Sequence, residues 1–151
     1  MRAIDVAEFL LYRANQDGEL ITNLKMQKLL YYAQAWFLVN FNKPLFDDPI
    51  EAWELGPVIR EVYEHYKKFT HTPIIYNDRK GQELKNFSEE ELEFLNDFYD
   101  KFIGTPAHIL VNMTHNEEPW INAFATKDTI SLNDMKDYYT KKYEEQANKQ
   151  E

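Results

Sequence analysis

The sequence predicts a compact, mainly α-helical single domain of about six helices. One small two-stranded β element is expected, pairing residues 50–55 with 73–76. Three observations support this. The chain has 151 residues, the length of one domain. It carries ten Phe, ten Tyr and three Trp against four Gly, which favours a rigid helical core over a turn-rich β fold. Apolar residues also recur at helical spacing between well-marked caps and breakers.

The first helix is expected over residues 3–15, where Val6, Phe9, Leu10 and Arg13 fall at helical spacing, before the turn pair Asp17-Gly18. The second opens at Thr22-Asn23, both good cap residues, and runs to about Phe41. Leu24, Met26, Leu29, Leu30, Ala33, Trp36, Phe37 and Leu38 cover more than one of its faces, the pattern of a central helix packed all round. Pro44 and Pro49 break the chain, and residues 50–55 alternate apolar and acidic as a short strand does. Gly56-Pro57 is expected to start the third helix, because proline at the first helical position forfeits no hydrogen bond. Residues 70–86 form a loop. Ser88 and Glu91 make a capping box for the fourth helix, which ends at Gly104. Thr105-Pro106 opens the fifth, to about residue 114, and Ser131 caps the last, to about Tyr143. The helical domain then spans residues 1–143, and 144–151 form a polar tail.

Composition excludes several function classes. Hydrophobic residues at 44% and charged residues at 28% are ordinary for a globular chain, so wholesale disorder is not expected. Without cysteine there is no disulfide framework, thiolate metal site or cysteine nucleophile. The N-terminus has no secretory pattern and the longest apolar run is too short for a bilayer, so a cytoplasmic protein is expected. The net charge of -9 argues against direct nucleic-acid binding. Much of that charge lies in the second half: Glu89, Glu90, Glu91, Glu93, Asp97 and Asp100 share the fourth helix with no base between them. The macrodipole and solvation explain such a run, and a docking surface for a basic partner explains it as well.

No constellation of catalytic residues stands out. His115 with Glu118 has the skeleton of a general-base pair for a small hydrolase, but no nucleophile elbow or phosphate loop accompanies it. Asp47, Asp48 and Glu51 could coordinate a hard cation, although a turn between two prolines explains them equally well. Tyr31, Tyr32, Trp36, Trp53 and Trp120 are core residues or the lining of a partner groove.

Several separated blocks do match one family. Residues 21–36, Ile-Thr-Asn-Leu-Lys-Met-Gln-Lys-Leu-Leu-Tyr-Tyr-Ala-Gln-Ala-Trp, resemble the first signature of the Panacea domain, the family of SocA-like antitoxins and GepA-like phage-associated proteins. The resemblance continues through Pro44-Leu45-Phe46 and residues 51–58. It resumes at Leu110, Thr114-His115, Pro119-Trp120 and Ile130 before Tyr138-Tyr139. It implies a helical domain acting through protein contacts, without enzymatic activity, metal or cofactor. Its expected partner is a cognate toxin, neutralised by binding or handed by an adaptor to a AAA+ protease. No helix-turn-helix segment accompanies the domain, which speaks against a DNA-binding role. The resemblance marks Leu24, Gln27, Lys28, Leu29, Tyr31, Tyr32, Ala33, Trp36, Trp53, Gly56, Pro57, Val58, Thr114, His115, Pro119 and Trp120, and their roles are expected to be mostly structural. The partner surface is then expected elsewhere, on Glu90, Glu93, Asp97 and Asp100 and the adjoining 70–86 loop.

Overall fold

A computed structural model of the chain describes residues 1–77 and 87–149; most of the 70–86 loop and the last two residues lie outside them. Helix α1 (Ala3–Asp17) ends on Gly18, whose left-handed conformation turns its N–H back to the Ala14 carbonyl. Helix α2 (Asn23–Phe41) starts at Thr22, whose hydroxyl accepts from the Lys25 N–H at 3.2 Å. It is buried on nearly every side, as its all-round apolar pattern requires, and packs against α1, α3, α4, α5 and α7. The others are α3 (Arg60–Tyr66), α4 (Glu89–Phe102), α5 (Ala107–His115), α6 (Glu118–Thr126) and α7 (Leu132–Lys149). The mainly α, compact class is as expected. The capping box of Ser88 and Glu91 forms, and the Ser131 hydroxyl accepts from the Asp134 N–H at 3.0 Å.

The β element differs from the expectation. Strand β1 (Ile50–Trp53) does not pair with residues 73–76. It turns back immediately onto β2 (Gly56–Val58), with Trp53 opposite Gly56, and its other edge takes β3 (Thr129–Ile130). The antiparallel sheet order is β2-β1-β3. Gly56, at φ +115°, supplies a backbone conformation closed to other residues, and that reverses the chain. Pro57, lacking an N–H, is tolerated because β2 is an edge strand. Gly56-Pro57 therefore closes a hairpin, and the third helix begins only at Arg60. Pro73 instead bridges Thr22, and the Ile74 N–H reaches the Ile21 carbonyl at 2.9 Å.

Helix α6 is an addition to the expected set. Pro119 lies in its first turn, the position where proline is harmless. Helix α7 continues past Tyr143 to Lys149, because Lys, Glu, Gln and Ala there are good helix formers and no breaker intervenes. The core joins Phe9 and Leu10 of α1, Met26, Leu30 and Phe37 of α2, Leu95 and Phe98 of α4, Leu110 of α5, and Met135 and Tyr139 of α7.

Candidate functional site

The central helix carries polar side chains where only apolar ones would be expected. Asn23, Gln27, Lys28 and Gln34 are all buried. Each hydrogen-bonds within α2 or to the backbone of residues 45–63, reaching loop residues Leu45 and Phe46, Pro57 of β2, Ile59 before α3 and Tyr63 in α3. Gln27 accepts from the Ile59 N–H at 2.9 Å and donates to Asn23, which in turn donates to the Tyr63 carbonyl. Gln34 accepts from the Leu45 N–H and donates to the Phe46 carbonyl, both at 2.7 Å. Lys28 donates to the Pro57 carbonyl at 2.9 Å. Backbone groups without a partner cost free energy when buried, and α2 meets those around it with side-chain amides and one amine.

The Lys28 amine touches the hairpin at its tightest point. A Cβ on Gly56 would stand 2.6 Å from Lys28 Cε and 2.9 Å from Thr114 Oγ1. Thr114 is itself buried and donates to the Val111 carbonyl at 2.8 Å. Lys28, Gly56, Pro57 and Thr114, separate in sequence, are thus one packed unit joining α2, the hairpin and α5. Burial lowers the Lys28 amine to about 7. An unfolded lysine titrates near ~10.4, so between those values the unfolded chain holds the extra proton and stability rises with pH, by up to ~1.4 kcal/mol per unit. Below pH 7 both states carry the proton and that contribution is gone. Lys28→Met is expected to abolish this rise; urea unfolding at pH 7, 8 and 9 reads the slope, and an undiminished slope in the variant would assign it to other groups.

His115 and Trp120 hold the turn of the same hairpin. Trp120 Nε1 donates to the Trp53 carbonyl at 2.8 Å, and His115 Nε2 lies 2.9 Å from the Glu54 carbonyl. A carbonyl only accepts, so Nε2 carries the proton. The two rings lie 4.3 Å apart. His115 therefore meets the turn and not Glu118, which is exposed at the start of α6. The proposed general-base pair does not form. The acidic trio is dispersed as well. Asp48 accepts from the Ala3 N–H at 2.8 Å, and Asp47 lies 3.8 Å from the N-terminal amine. Glu51 is clamped by Arg60 at 2.8 and 2.9 Å. Among the described residues no group of three His, Asp or Glu could hold a metal ion.

The polar centre that sequence reasoning missed is Glu117. It is 3% exposed, and its carboxylate accepts from Tyr32 at 2.5 Å, from Tyr139 at 2.8 Å and from Lys142 at 2.7 Å. Tyr31 Oη stands 3.0 Å from Tyr139 Oη. Since Tyr139 spends its single proton on the carboxylate, Tyr31 donates to Tyr139. Burial first, and the neighbouring Glu117 charge with it, pushes the Tyr31, Tyr32 and Tyr139 hydroxyls well above the ordinary tyrosine value. The only sequence signal was a second acidic residue before Pro119-Trp120, next to Glu118, the candidate partner for His115.

Tyr32, Glu117, Tyr139 and Lys142 also face a groove of about 1010 Å³ between α2, α4 and α7. Tyr32 and Trp36 of α2 line its floor, with Phe94, Phe98 and Phe102 of α4 and Tyr143 of α7 beside them. Trp36 is half-buried and so belongs to the groove as well as to the core. Glu90, Glu93 and Asp97 line the α4 wall. Asp100 lies outside the groove and pairs with Arg13 of α1 at 3.0 Å, while Lys43 approaches Glu90 at 3.7 Å. Of the motif residues, Leu29, Tyr31, Ala33 and Val58 are core; Pro119 is buried, Trp53 is half-buried, and Leu24 is 36% exposed.

Residues 26–121 match the family described as Antitoxin SocA-like, Panacea domain. Over 58 residues the chain is 47% identical to Antitoxin SocA of Caulobacter vibrioides (strain NA1000 / CB15N), which covers 38% of this chain and 31% of that protein. It is 27% identical over 86 residues to the dual specificity protein phosphatase 7 of Homo sapiens, covering 57% of this chain and 20% of that protein. The Rattus norvegicus protein of the same name matches to the same extent. The matched segments thus span less than a third of these relatives. No solved structure matches.

Proposed function

The chain belongs to the SocA-like Panacea-domain family, and from that premise we propose that it is a non-enzymatic antitoxin that neutralises a cognate toxin protein by direct binding. One observation carries the reading: the polar motif residues are turned inward. Gln27, Lys28, Thr114, His115 and Trp120 are spent on the chain's own backbone, and Tyr32 on its own Glu117. Residues that define a family yet face its interior build a scaffold, and recognition then falls to the surface that the scaffold displays. The absence of cysteine denies the chain a thiolate nucleophile, and the His115–Glu118 pair is not formed.

The acidic surface of α4, with Glu90, Glu93 and Asp97 exposed or half-exposed along the groove, is the toxin-facing side in this reading. Asp100 is removed from it by its pairing with Arg13. No helix among the described residues is long and apolar enough to cross a membrane, and the reading places the encounter in the cytoplasm. Co-expression with the product of the adjacent gene tests it. Growth arrest by the neighbour alone, relieved when this chain is present, is expected. A neighbour that is harmless, or still toxic beside this chain, contradicts the reading. The toxin's steady-state level should be unchanged on rescue; a protease-dependent fall would mark an adaptor to a AAA+ protease instead.

A further inference from the structure

Helices α4 and α7 both pack on α2, and between them the groove exposes a strip of α2 that a bundle would normally cover with another helix. Its floor and its wall differ in chemistry. Half-buried Trp36, Phe94 and Phe102 supply aromatic surface over the buried Tyr32, whereas Glu89, Glu90, Glu93 and Asp97, with Lys101 the one cation of α4 among them, supply a row of carboxylates on one side. Spacings of three and four residues between Glu90, Glu93 and Asp97 place these on one face of α4.

Resting on the antitoxin reading, we propose that this groove is where the partner docks, and that the docked element is a basic amphipathic helix. Three features select that occupant. An apolar helix face has somewhere to go, because the floor is aromatic and concave. Lysine and arginine suit the rim: their stems lie along aromatic surface, their cations sit over ring faces, and their heads reach the carboxylates. An acidic helix is refused by the same wall, which gives selectivity and steers the encounter. That refusal also disfavours a second copy of this chain, whose net charge is -9. Glu117 and Lys142, at the base, keep their own pairing, so the occupant meets a groove whose deepest charge is already neutralised.

The test uses the full chain and two labelled helical peptides, one built on lysine–leucine heptads and one on glutamate–leucine heptads. Fluorescence anisotropy is expected to show the lysine peptide binding at least roughly tenfold more tightly, with affinity falling as salt rises. The triple variant Glu90→Lys, Glu93→Lys, Asp97→Lys should lose roughly tenfold for the lysine peptide. A control triple, Glu54→Lys, Glu61→Lys, Glu64→Lys, makes the same charge change outside the groove and should leave binding within about threefold. Equal losses in both triples would reduce the effect to net charge and overturn the proposal, as would a homodimer that closes the groove. If the reversed triple does not melt like wild type, the neutral pair Glu93→Gln, Asp97→Asn takes its place in the same assay. The co-expression assay separates this proposal from the reading beneath it. If wild type rescues and the folded groove variant rescues equally well, the groove proposal fails and the antitoxin reading stands. If wild type does not rescue but the lysine peptide still binds at the groove, the antitoxin reading fails and the groove remains a docking site for basic helices.

Discussion

Replacing Gly56 by alanine is expected to cost about 3–5 kcal/mol of stability, enough to threaten a domain whose total lies near ~5–15 kcal/mol. Two effects add. The backbone at Gly56 sits at φ +115°, a region that L-residues avoid at about 1–3 kcal/mol. The new methyl would also meet Lys28 Cε at 2.6 Å and Thr114 Oγ1 at 2.9 Å. Overpacking of this kind costs about 1–3 kcal/mol more. Lys28 cannot easily retreat, because its amine is the donor to the Pro57 carbonyl one residue further along the same turn. Gly18 provides the internal comparison. It too has a positive φ, +72°, but nothing lies within 4 Å of its missing Cβ. Gly18→Ala should therefore cost only about 1 kcal/mol. Urea midpoints for the two variants measure the difference directly. Similar losses at both sites would mean that backbone conformation alone, and not the Lys28–Thr114 contact, makes glycine necessary at position 56.

This contrast shows where the sequence was legible and where it was not. Local chemistry was readable: Thr22, Ser88 with Glu91, Ser131 and Gly18 all mark helix ends as expected, because a cap interacts within one turn of itself. The all-round apolar pattern of α2 also announced its central place. The hairpin was not readable, because Gly56-Pro57 fits both a helix start and a tight reversal, and the choice depends on what packs beneath the turn. Helix α6 was missed in a short segment that carries Pro119, which sits harmlessly in its first turn.

The polar interior was the least legible. A lysine within a helical run reads as solvent-facing, and nothing local reveals that the Lys28 amine will meet the carbonyl of Pro57, 29 residues away. The contact between Tyr32 and Glu117 joins residues 85 apart, and that between Tyr31 and Tyr139 joins residues 108 apart. Of the candidate partner surface, the i, i+3, i+7 grouping of Glu90, Glu93 and Asp97 survives folding as one wall. Asp100 departs because Arg13 of another helix claims it. In each case the decisive contact is long-range, and one-dimensional spacing carries no record of it.

Glu117→Leu is expected to cost about 3–5 kcal/mol, the other large effect in this fold. The carboxylate is the single acceptor on which two hydroxyls and one ammonium converge. Removing it orphans Tyr32, at about 1–3 kcal/mol for an unmet buried hydroxyl, and leaves Tyr139 with Tyr31 as its one remaining partner among these groups. Lys142 suffers less, since its side chain is 35% exposed and can turn to water. Glu117→Gln keeps an acceptor oxygen for the tyrosines but turns an amide donor toward Lys142, so a smaller loss of about 1–3 kcal/mol is expected. Adding Lys142→Met to Glu117→Gln should then recover part of that loss, and the double-mutant cycle measures the coupling. Additive losses would show that Lys142 is not coupled to Glu117. Alkali gives an independent check of sign. The three tyrosines are held protonated in the folded state, while in the unfolded chain they ionise near ~10. Above that pH the unfolded state releases protons that the folded state keeps, so stability must fall as pH rises. In Glu117→Gln the repulsion between carboxylate and phenolate is gone but burial, the first cause, persists, so the folded hydroxyls should stay protonated and the alkaline fall should be as steep as in wild type. A shallower fall would mean that the Glu117 charge, and not burial, keeps these hydroxyls neutral.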